Sequence, residues 1–342
     1  MKTKYVTIDH SRPLGPQVAP WGEILRAGGL VAFPTETVYG LGANGLDSEA
    51  AKKIYVAKGR PSDNPLILHV LDRDGLAPLV KEIPPLVDRL ISEFWPGPLT
   101  LVLPKSDIVP TTVTGGGETV AVRAPSQPVA RALIAAAGVP LAAPSANLSG
   151  RPSPVTAPAV RHDLDGRVDA ILDDGACRIG LESTVVSLQE NELVIYRPGA
   201  ITLEMLSAFA PTRLDSALVT GQGIPKAPGM KYRHYAPRVP VYLYTGETEK
   251  IRAALAKTYD PRRGYLVSAE TSRALPAGEN IYIWGDAADA AAYAAHLYQG
   301  LLYLDETAAE EIYAEGVSDQ GIGLAVMNRL LKAAAYQVRE VK

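Results

Sequence analysis

Short apolar runs alternate with stretches of helical periodicity through the first two hundred residues. The runs Leu30–Phe33, Leu66–Val70, Leu99–Leu103, Val120–Val122, Leu141–Ala143 and Ala170–Leu172 read as buried strands. Thr184–Leu188 and Leu193–Tyr196 predict a hairpin around Gln189–Asn191. Between them, Trp21, Ile24, Leu25 and Ala27 predict a helix over 20–28, stopped by Gly28–Gly29. Asp47–Ser48 can cap a helix through Ala50, Ala51, Ile54, Tyr55 and Ala57, ended by Gly59. Further helices are predicted over Pro84–Trp95, Gln127–Ala137 and Thr156–Leu164. This alternation implies an α/β or α+β domain over residues 1–208.

The pattern then breaks. Residues 209–238 contain Pro211, Pro225, Pro228 and Pro237 and little periodicity. They hold five basic residues (Arg213, Lys226, Lys231, Arg233, Arg238) against one acid, Asp215. The stretch reads as a basic linker, and a connection this long is usually functional or disordered. From Val239 a second pattern begins. Val241–Tyr244, Gly264–Val267 and Ile281–Trp284 read as strands, and Thr248–Tyr259, Ala287–Tyr303 and Gly321–Tyr336 as helices. Strand–helix–strand order predicts a small parallel sheet over 239–342. The Ala-rich helix is apolar nearly all round, so burial is expected.

Composition narrows the class. With 342 residues and 47% hydrophobic content, two cored domains are affordable. A formal net charge of −3 offers no global basic surface for nucleic acid. One cysteine, Cys177, excludes a disulfide framework and fits a reducing cytosol. No run approaches the roughly 18 apolar residues of a membrane span, and the start of the chain leads into no apolar signal core. A cytoplasmic protein is expected.

The chemistry-bearing residues lie in loops and at strand ends. Pro34–Thr35–Glu36–Thr37–Val38–Tyr39–Gly40 follows the strand ending at Phe33. Lys58–Gly59–Arg60–Pro61–Ser62–Asp63–Asn64–Pro65 and His69 surround the next strand. Such density suggests a site, against the alternative of a capped turn plus a solvated loop. There is no GxxxxGK[ST] loop and no GxGxxG; there is no CxxC and no HExxH, so a protein-bound zinc site is not expected. Lys58 and Arg60 can hold phosphates, one as a point charge and the other as a bidentate fork. Arg123 ends a buried strand, where it needs an acidic partner or an anionic ligand. Arg197 closes the last strand in the same way. Ser145, Asn147, Ser149 and Ser153 fill one loop that suits a nucleotide, or that simply satisfies its own backbone. Together these describe a cleft for an anionic substrate. With no activated nucleophile in view, direct transfer between bound substrates is favoured.

These segments, in this order, resemble the long type of threonylcarbamoyl-AMP synthase: a YrdC-like catalytic domain with a C-terminal extension. The matching stretches are Pro34–Gly40, Lys58–Asn64, Pro144–Gly150, Glu182–Val185, Tyr196–Gly199 and Pro228–Pro237. The pair Lys58/Arg60 and the pair Ser145/Asn147 carry the signature. At Ala143 some relatives have Thr. The resemblance implies a twisted open mixed sheet with a concave cavity, plus a small Rossmann-like parallel-sheet domain. It implies nucleotidyl transfer: L-threonine, bicarbonate and ATP give threonylcarbamoyl-adenylate, pyrophosphate and water. The product would feed N6-threonylcarbamoylation of tRNA by downstream transferase proteins.

By the same resemblance, Thr37, His69, Arg123, Ala143 and Ser183 are expected around threonine. Lys58, Arg60, Asn64, Thr119, Ser145, Ser153 and Arg197 are expected around ATP, with Asn147 near the phosphates and Tyr235 closing over the nucleotide. Lys58 and Arg60 are the expected catalytic pair. Mg2+ is expected on the ATP phosphates rather than in a protein cage. The basic linker, with Lys231, Arg233, His234 and Tyr235, is expected to act as a lid. Rival readings are an O-carbamoyltransferase and an RNA-binding or ribosome-maturation module; stable direct nucleic-acid binding is not expected.

Overall fold

Asp47 shows how local chemistry sets this fold. Its carboxylate accepts from the N–H groups of Glu49 (2.8 Å) and Ala50 (3.2 Å), starting the helix Ser48–Lys58. Gly59 ends that helix at φ 60°, a left-handed conformation glycine adopts without a Cβ penalty. Lys58 is thereby the helix's last residue, with its side chain turned inward and buried.

The computed structural model describes residues 2–220 and 235–341. The first sheet has eleven strands: β1 (Lys4–Thr7), β2 (Val31–Phe33), β3 (Gly40–Asn44), β4 (Ile67–His69), β5 (Leu99–Pro104), β6 (Thr119–Arg123), β7 (Leu141–Ala142), β8 (Ala170–Asp173), β9 (Thr184–Gln189), β10 (Glu192–Arg197) and β11 (Thr212–Leu214). Their order is β1-β8-β2-β3-β7-β4-β6-β5-β9-β10-β11, with parallel and antiparallel pairs mixed. The helices Leu14–Arg26 and Pro128–Ala137 pack on part of it. Val18, Leu25, Val129, Leu133 and Ile134 meet Val31, Phe33, Leu141 and Leu172 in one core cluster.

The second sheet comprises β12 (Val241–Gly246), β13 (Arg263–Val267), β14 (Ile281–Ile283), β15 (Glu311–Glu315) and β16 (Val338–Val341). It is ordered β14-β13-β15-β12-β16 and every pair is parallel, as the alternation predicts. At the end of β15, the buried Glu315 accepts from Ser268 N (2.7 Å) and Thr271 Oγ1 (2.9 Å).

Chain contacts divide the molecule into two units. One contains Met1–Ser149, Pro154–Arg178 and Glu182–Lys231; the other contains Gly150–Ser153, Ile179–Leu181 and Tyr232–Lys342.

Several elements depart from the expected pattern. The first helix begins at Leu14, well before residue 20, despite Pro16 and Pro20. β3 was not expected, because Gly40, Gly42 and Asn44 have poor strand propensity; strands on either side hold it in place. β1, β16 and β11 are short or edge elements below the reach of periodicity. β11 and the helix Ser216–Thr220 put regular structure into a stretch read as aperiodic. The Ala-rich helix, Ala290–Glu306, buries only one side, through Tyr293, Leu297, Tyr298, Leu301 and Leu304. Ala291, His296, Gln299 and Tyr303 are exposed on it.

Candidate active site

Register alone gathers much of the expected site. Directly paired residues share a face of a sheet, and side chains alternate along each strand. His69 pairs with Arg123 and with Leu141, so Ala143, two residues further, shares their face. Two and four residues before Arg123 stand Ala121 and Thr119. Ala121 pairs with Val102, placing Thr100 on this face too. Val185 pairs with both Thr100 and Arg197, which adds Arg197 and Ser183. One sheet face therefore carries Ala143, His69, Arg123, Thr119, Thr100, Ser183 and Arg197, residues drawn from six adjacent strands or their ends. Its floor is apolar: Ile67, Val102, Ala121, Val185, Val194 and Tyr196 form one buried cluster. Along β6, Thr119 and Arg123 stand about 13 Å apart at strand rise, so the floor has two ends.

At the Arg123 end, a buried Arg meets a buried Glu. Arg123 Nη2 lies 2.7 Å from Glu36 Oε1, with both side chains 4% exposed. Arg123 Nη1 donates to Thr37 Oγ1 (2.8 Å) and Nε to the Gly97 carbonyl (3.1 Å). Thr35 shapes this turn: its hydroxyl donates to the Val38 carbonyl (2.6 Å) and accepts from Val38 N (3.2 Å). Burial pushes the Glu36 carboxyl up, but the Arg123 guanidinium and nearby backbone N–H groups hold it below the usual carboxylate range. The pair is therefore ionised. Burial, then the Arg123 charge, push His69 down to about 3, so its ring is neutral at pH 7.

Across β5, Ser183 Oγ lies 2.7 Å from Thr100 Oγ1 and accepts from Arg197 Nη2 (3.0 Å). Arg197 Nε donates to the Ser183 carbonyl (3.0 Å). Gly199 permits this approach: a Cβ there would stand 2.5 Å from Thr184 N.

At the other end, Lys58 grips a loop. Its Nζ donates to the carbonyls of Ser145 (2.5 Å) and Asn147 (2.5 Å), with Asn147 Oδ1 at 3.4 Å. Ser145 Oγ donates to Asn147 Oδ1 (2.6 Å), and Ser149 N to the Lys58 carbonyl (2.9 Å). Gly40 bridges Ser145, which ties this loop to the end of the Thr35–Tyr39 turn. Arg60 donates through Nη2 to the Pro65 carbonyl (3.0 Å) and through Nε to that of Asn64 (3.3 Å). Pro65 lies two residues before Ile67, and Ile67 pairs with Ala121, so Arg60 and Asn64 stand near the Thr119 end of the floor. Asn64 is buried, and its Nδ2 has no acceptor among the described residues. Burial, then the neighbouring Arg60 charge, push the Lys58 amine well below its ordinary value, and Asp163 opposes them.

Two expected residues belong to the other unit. Ser153 is buried there. Tyr235 has φ 64°, stacks on Tyr298 at 5.2 Å, and lies under the Arg329 guanidinium at 5.9 Å. Lys226, Lys231, Arg233 and His234, the rest of the expected lid, lie outside the described residues. Cys177 is buried beside Thr35 and Glu36, against a cavity of about 330 Å³, and burial pushes its thiol up to about 12. That is an inert thiol, not a nucleophile.

Sequence reasoning gave no role to Glu36, Thr100 or Asp163. Glu36 had a signal: a buried strand-end Arg123 demands an acid, and Glu36 sits in the polar motif. Thr100, inside an apolar run, and Asp163, in a helix, gave none.

The family model described as "Telomere recombination" matches residues 23–199, and that described as "Threonylcarbamoyl-AMP synthase, C-terminal domain" matches residues 201–335. Threonylcarbamoyl-AMP synthase of Bacillus subtilis is 46% identical over 344 residues, 99% of each chain. This chain belongs to the threonylcarbamoyl-AMP synthase family. The Pyrococcus abyssi synthase is 47% identical over 322 residues, covering 93% of this chain and 94% of its own. The solved structure of P. abyssi Sua5 complexed with L-threonine superposes with TM-score 0.91 at 42% identity, covering 100% of both chains. Both halves of the fold thus match a synthase, and neither the RNA-binding module nor the O-carbamoyltransferase is favoured. No described helix is long and apolar enough to cross a membrane.

Proposed function

We propose that this chain is a nucleotidyltransferase that makes threonylcarbamoyl-adenylate from L-threonine, bicarbonate and ATP, releasing pyrophosphate, for tRNA N6-threonylcarbamoyladenosine modification. One observation carries the reading: the two ends of a single sheet face differ in charge. The Arg123–Glu36 pair offers a cation and an anion together, with neutral His69 beside them. That suits a zwitterion such as threonine, its carboxylate toward Arg123. Lys58 touches neutral oxygens, so its charge is available to an anion. That suits a triphosphate, with Arg60, Asn64, Thr119, Ser145 and Arg197 contributing donors. The P. abyssi structure complexed with L-threonine supports the amino-acid half of this assignment.

In the proposed reaction the neutral threonine amine bonds to the carbon of bicarbonate, whose hydroxyl leaves with an amine proton as water, or to CO2 with release of that proton to solvent, giving a carbamate. A carbamate oxygen attacks the α-phosphorus of ATP, the bond to the bridging β-oxygen breaks, and pyrophosphate leaves with that electron pair. Lys58 and Arg60 stabilise charge growing on the leaving phosphates. Among the described residues no group of three His, Cys, Asp or Glu could hold a metal. The neutral oxygens of Ser145 and Asn147 fit instead a cation carried by the triphosphate. Mg2+ bound there would supply further charge neutralisation. The test is pyrophosphate release with ATP, bicarbonate and each amino acid in turn. The reading requires a signal that depends on both threonine and bicarbonate; release without threonine, or none at all, refutes it.

A further inference from the structure

The Ser145–Ser149 loop is held from a third side, by a residue to which the proposed reaction gives no role. Asp163 lies near the end of the helix Ala157–Leu164, with its side chain 5% exposed. Its Oδ2 accepts from Leu148 N at 2.9 Å. Leu148 is clamped from the other side, since its carbonyl accepts from Asn147 Nδ2 (2.8 Å). The loop thus hangs between the Lys58 ammonium, which holds the Ser145 and Asn147 carbonyls, and the Asp163 carboxylate, which holds the next N–H.

We propose that Asp163 is the positioning residue of the nucleotide half of the site: it fixes the loop that presents Ser145 and Asn147. The proposal rests on the synthase reading given above. It follows from the geometry of that carboxylate, which, by holding Leu148 N, fixes where Ser145 Oγ and Asn147 Oδ1 point. Among the described residues, His162 Nδ1 also reaches Asp163, at 2.9 Å from Oδ1.

Two substitutions test this. Asp163→Asn keeps an oxygen for Leu148 N; Asp163→Ala removes it. Pyrophosphate release is measured against ATP and threonine in the full chain. Asp163→Ala is expected to lower kcat/KM for ATP by about tenfold or more, since displacing a positioning group costs on that scale, while KM for threonine holds. Asp163→Asn is expected to restore most of that loss. An unchanged kcat/KM for ATP in Asp163→Ala, or an equal loss in both variants, overturns the proposal. If wild-type protein gives no threonine-dependent pyrophosphate, the functional reading has failed on its own. Amide hydrogen exchange then decides the loop: faster exchange over residues 145–149 in Asp163→Ala supports the proposal, and unchanged exchange overturns it.

Discussion

The two ends of the sheet face solve the problem of a buried cation in opposite ways. Arg123 is neutralised in place: Glu36 lies against it, and Thr37 and the Gly97 carbonyl take further N–H groups. Lys58 has carbonyl oxygens in contact, and Asp163 opposes the downward push of burial on its amine. A buried ion pair is neutral as a unit and can exchange partners with a zwitterion at little net change in charge. A buried ammonium held by neutral dipoles remains short of negative charge, which a polyanion provides. In the proposed reading this difference assigns the zwitterion to one end and the polyanion to the other, although Arg123 at a strand end and Lys58 at a helix end look alike in sequence.

Breaking the Lys58 end should have the largest effect. Lys58→Ala is expected to lower pyrophosphate release by about 100- to 1,000-fold, the usual loss for one preorganised charged donor. Circular dichroism should show the fold intact, and near-normal turnover would remove Lys58 from the reaction. Arg60→Ala tests the neighbouring cation in the same assay and is expected to fall in the same direction.

The Arg123 end should respond in stability as well as in binding. Glu36→Gln leaves Arg123 buried without a carboxylate, a change that costs about 3–5 kcal/mol. Urea unfolding should register it, and KM for threonine should rise more than KM for ATP. Equal changes in the two KM values would show that the ends are not distinct.

A smaller effect sharpens the contrast through pH. His69 has its pKa at about 3 in the folded chain and near the ordinary 6.5 when unfolded. Between those values the unfolded state binds more protons, so stability falls as pH drops from about 6.5 toward 3. His69→Gln removes this proton linkage. The variant's urea midpoint should fall less between pH 7 and pH 5 than the wild-type midpoint does; an identical fall would place the linkage elsewhere.

The smallest effect is expected from Asp47→Ala. Loss of this cap costs the helix Ser48–Lys58 about 1 kcal/mol. Thermal denaturation should show it, with pyrophosphate release lowered far less than in Lys58→Ala.

How much of this was written in the sequence depends on the range over which residues act. Asp47, Gly59 and the hairpin of β9 and β10 announce themselves within a few positions, and so does the parallel second sheet, through its strand–helix alternation. β3 does not, because Gly40, Gly42 and Asn44 take strand conformation only from their neighbours. The polar motifs were visible as chemistry. Their gathering on one face was not, since it depends on the order β7-β4-β6-β5-β9-β10, which joins strands far apart in the chain. Arg123 signalled that it needed an acid, and the structure supplies Glu36, 87 positions earlier. Asp163 could not have been chosen from sequence: its partner Leu148 lies 15 residues away, across a turn and a helix. Threonine itself was never legible in the residues; it came from the family resemblance.

The most direct test of two unlike ends on one face is a crossed binding measurement. Titration calorimetry with ATP and with L-threonine, each against Lys58→Ala and Glu36→Gln, gives four numbers. The account predicts that Lys58→Ala loses ATP affinity and keeps threonine, and that Glu36→Gln weakens threonine and keeps ATP. If each variant weakens both ligands alike, the two ends do not divide the substrates between them.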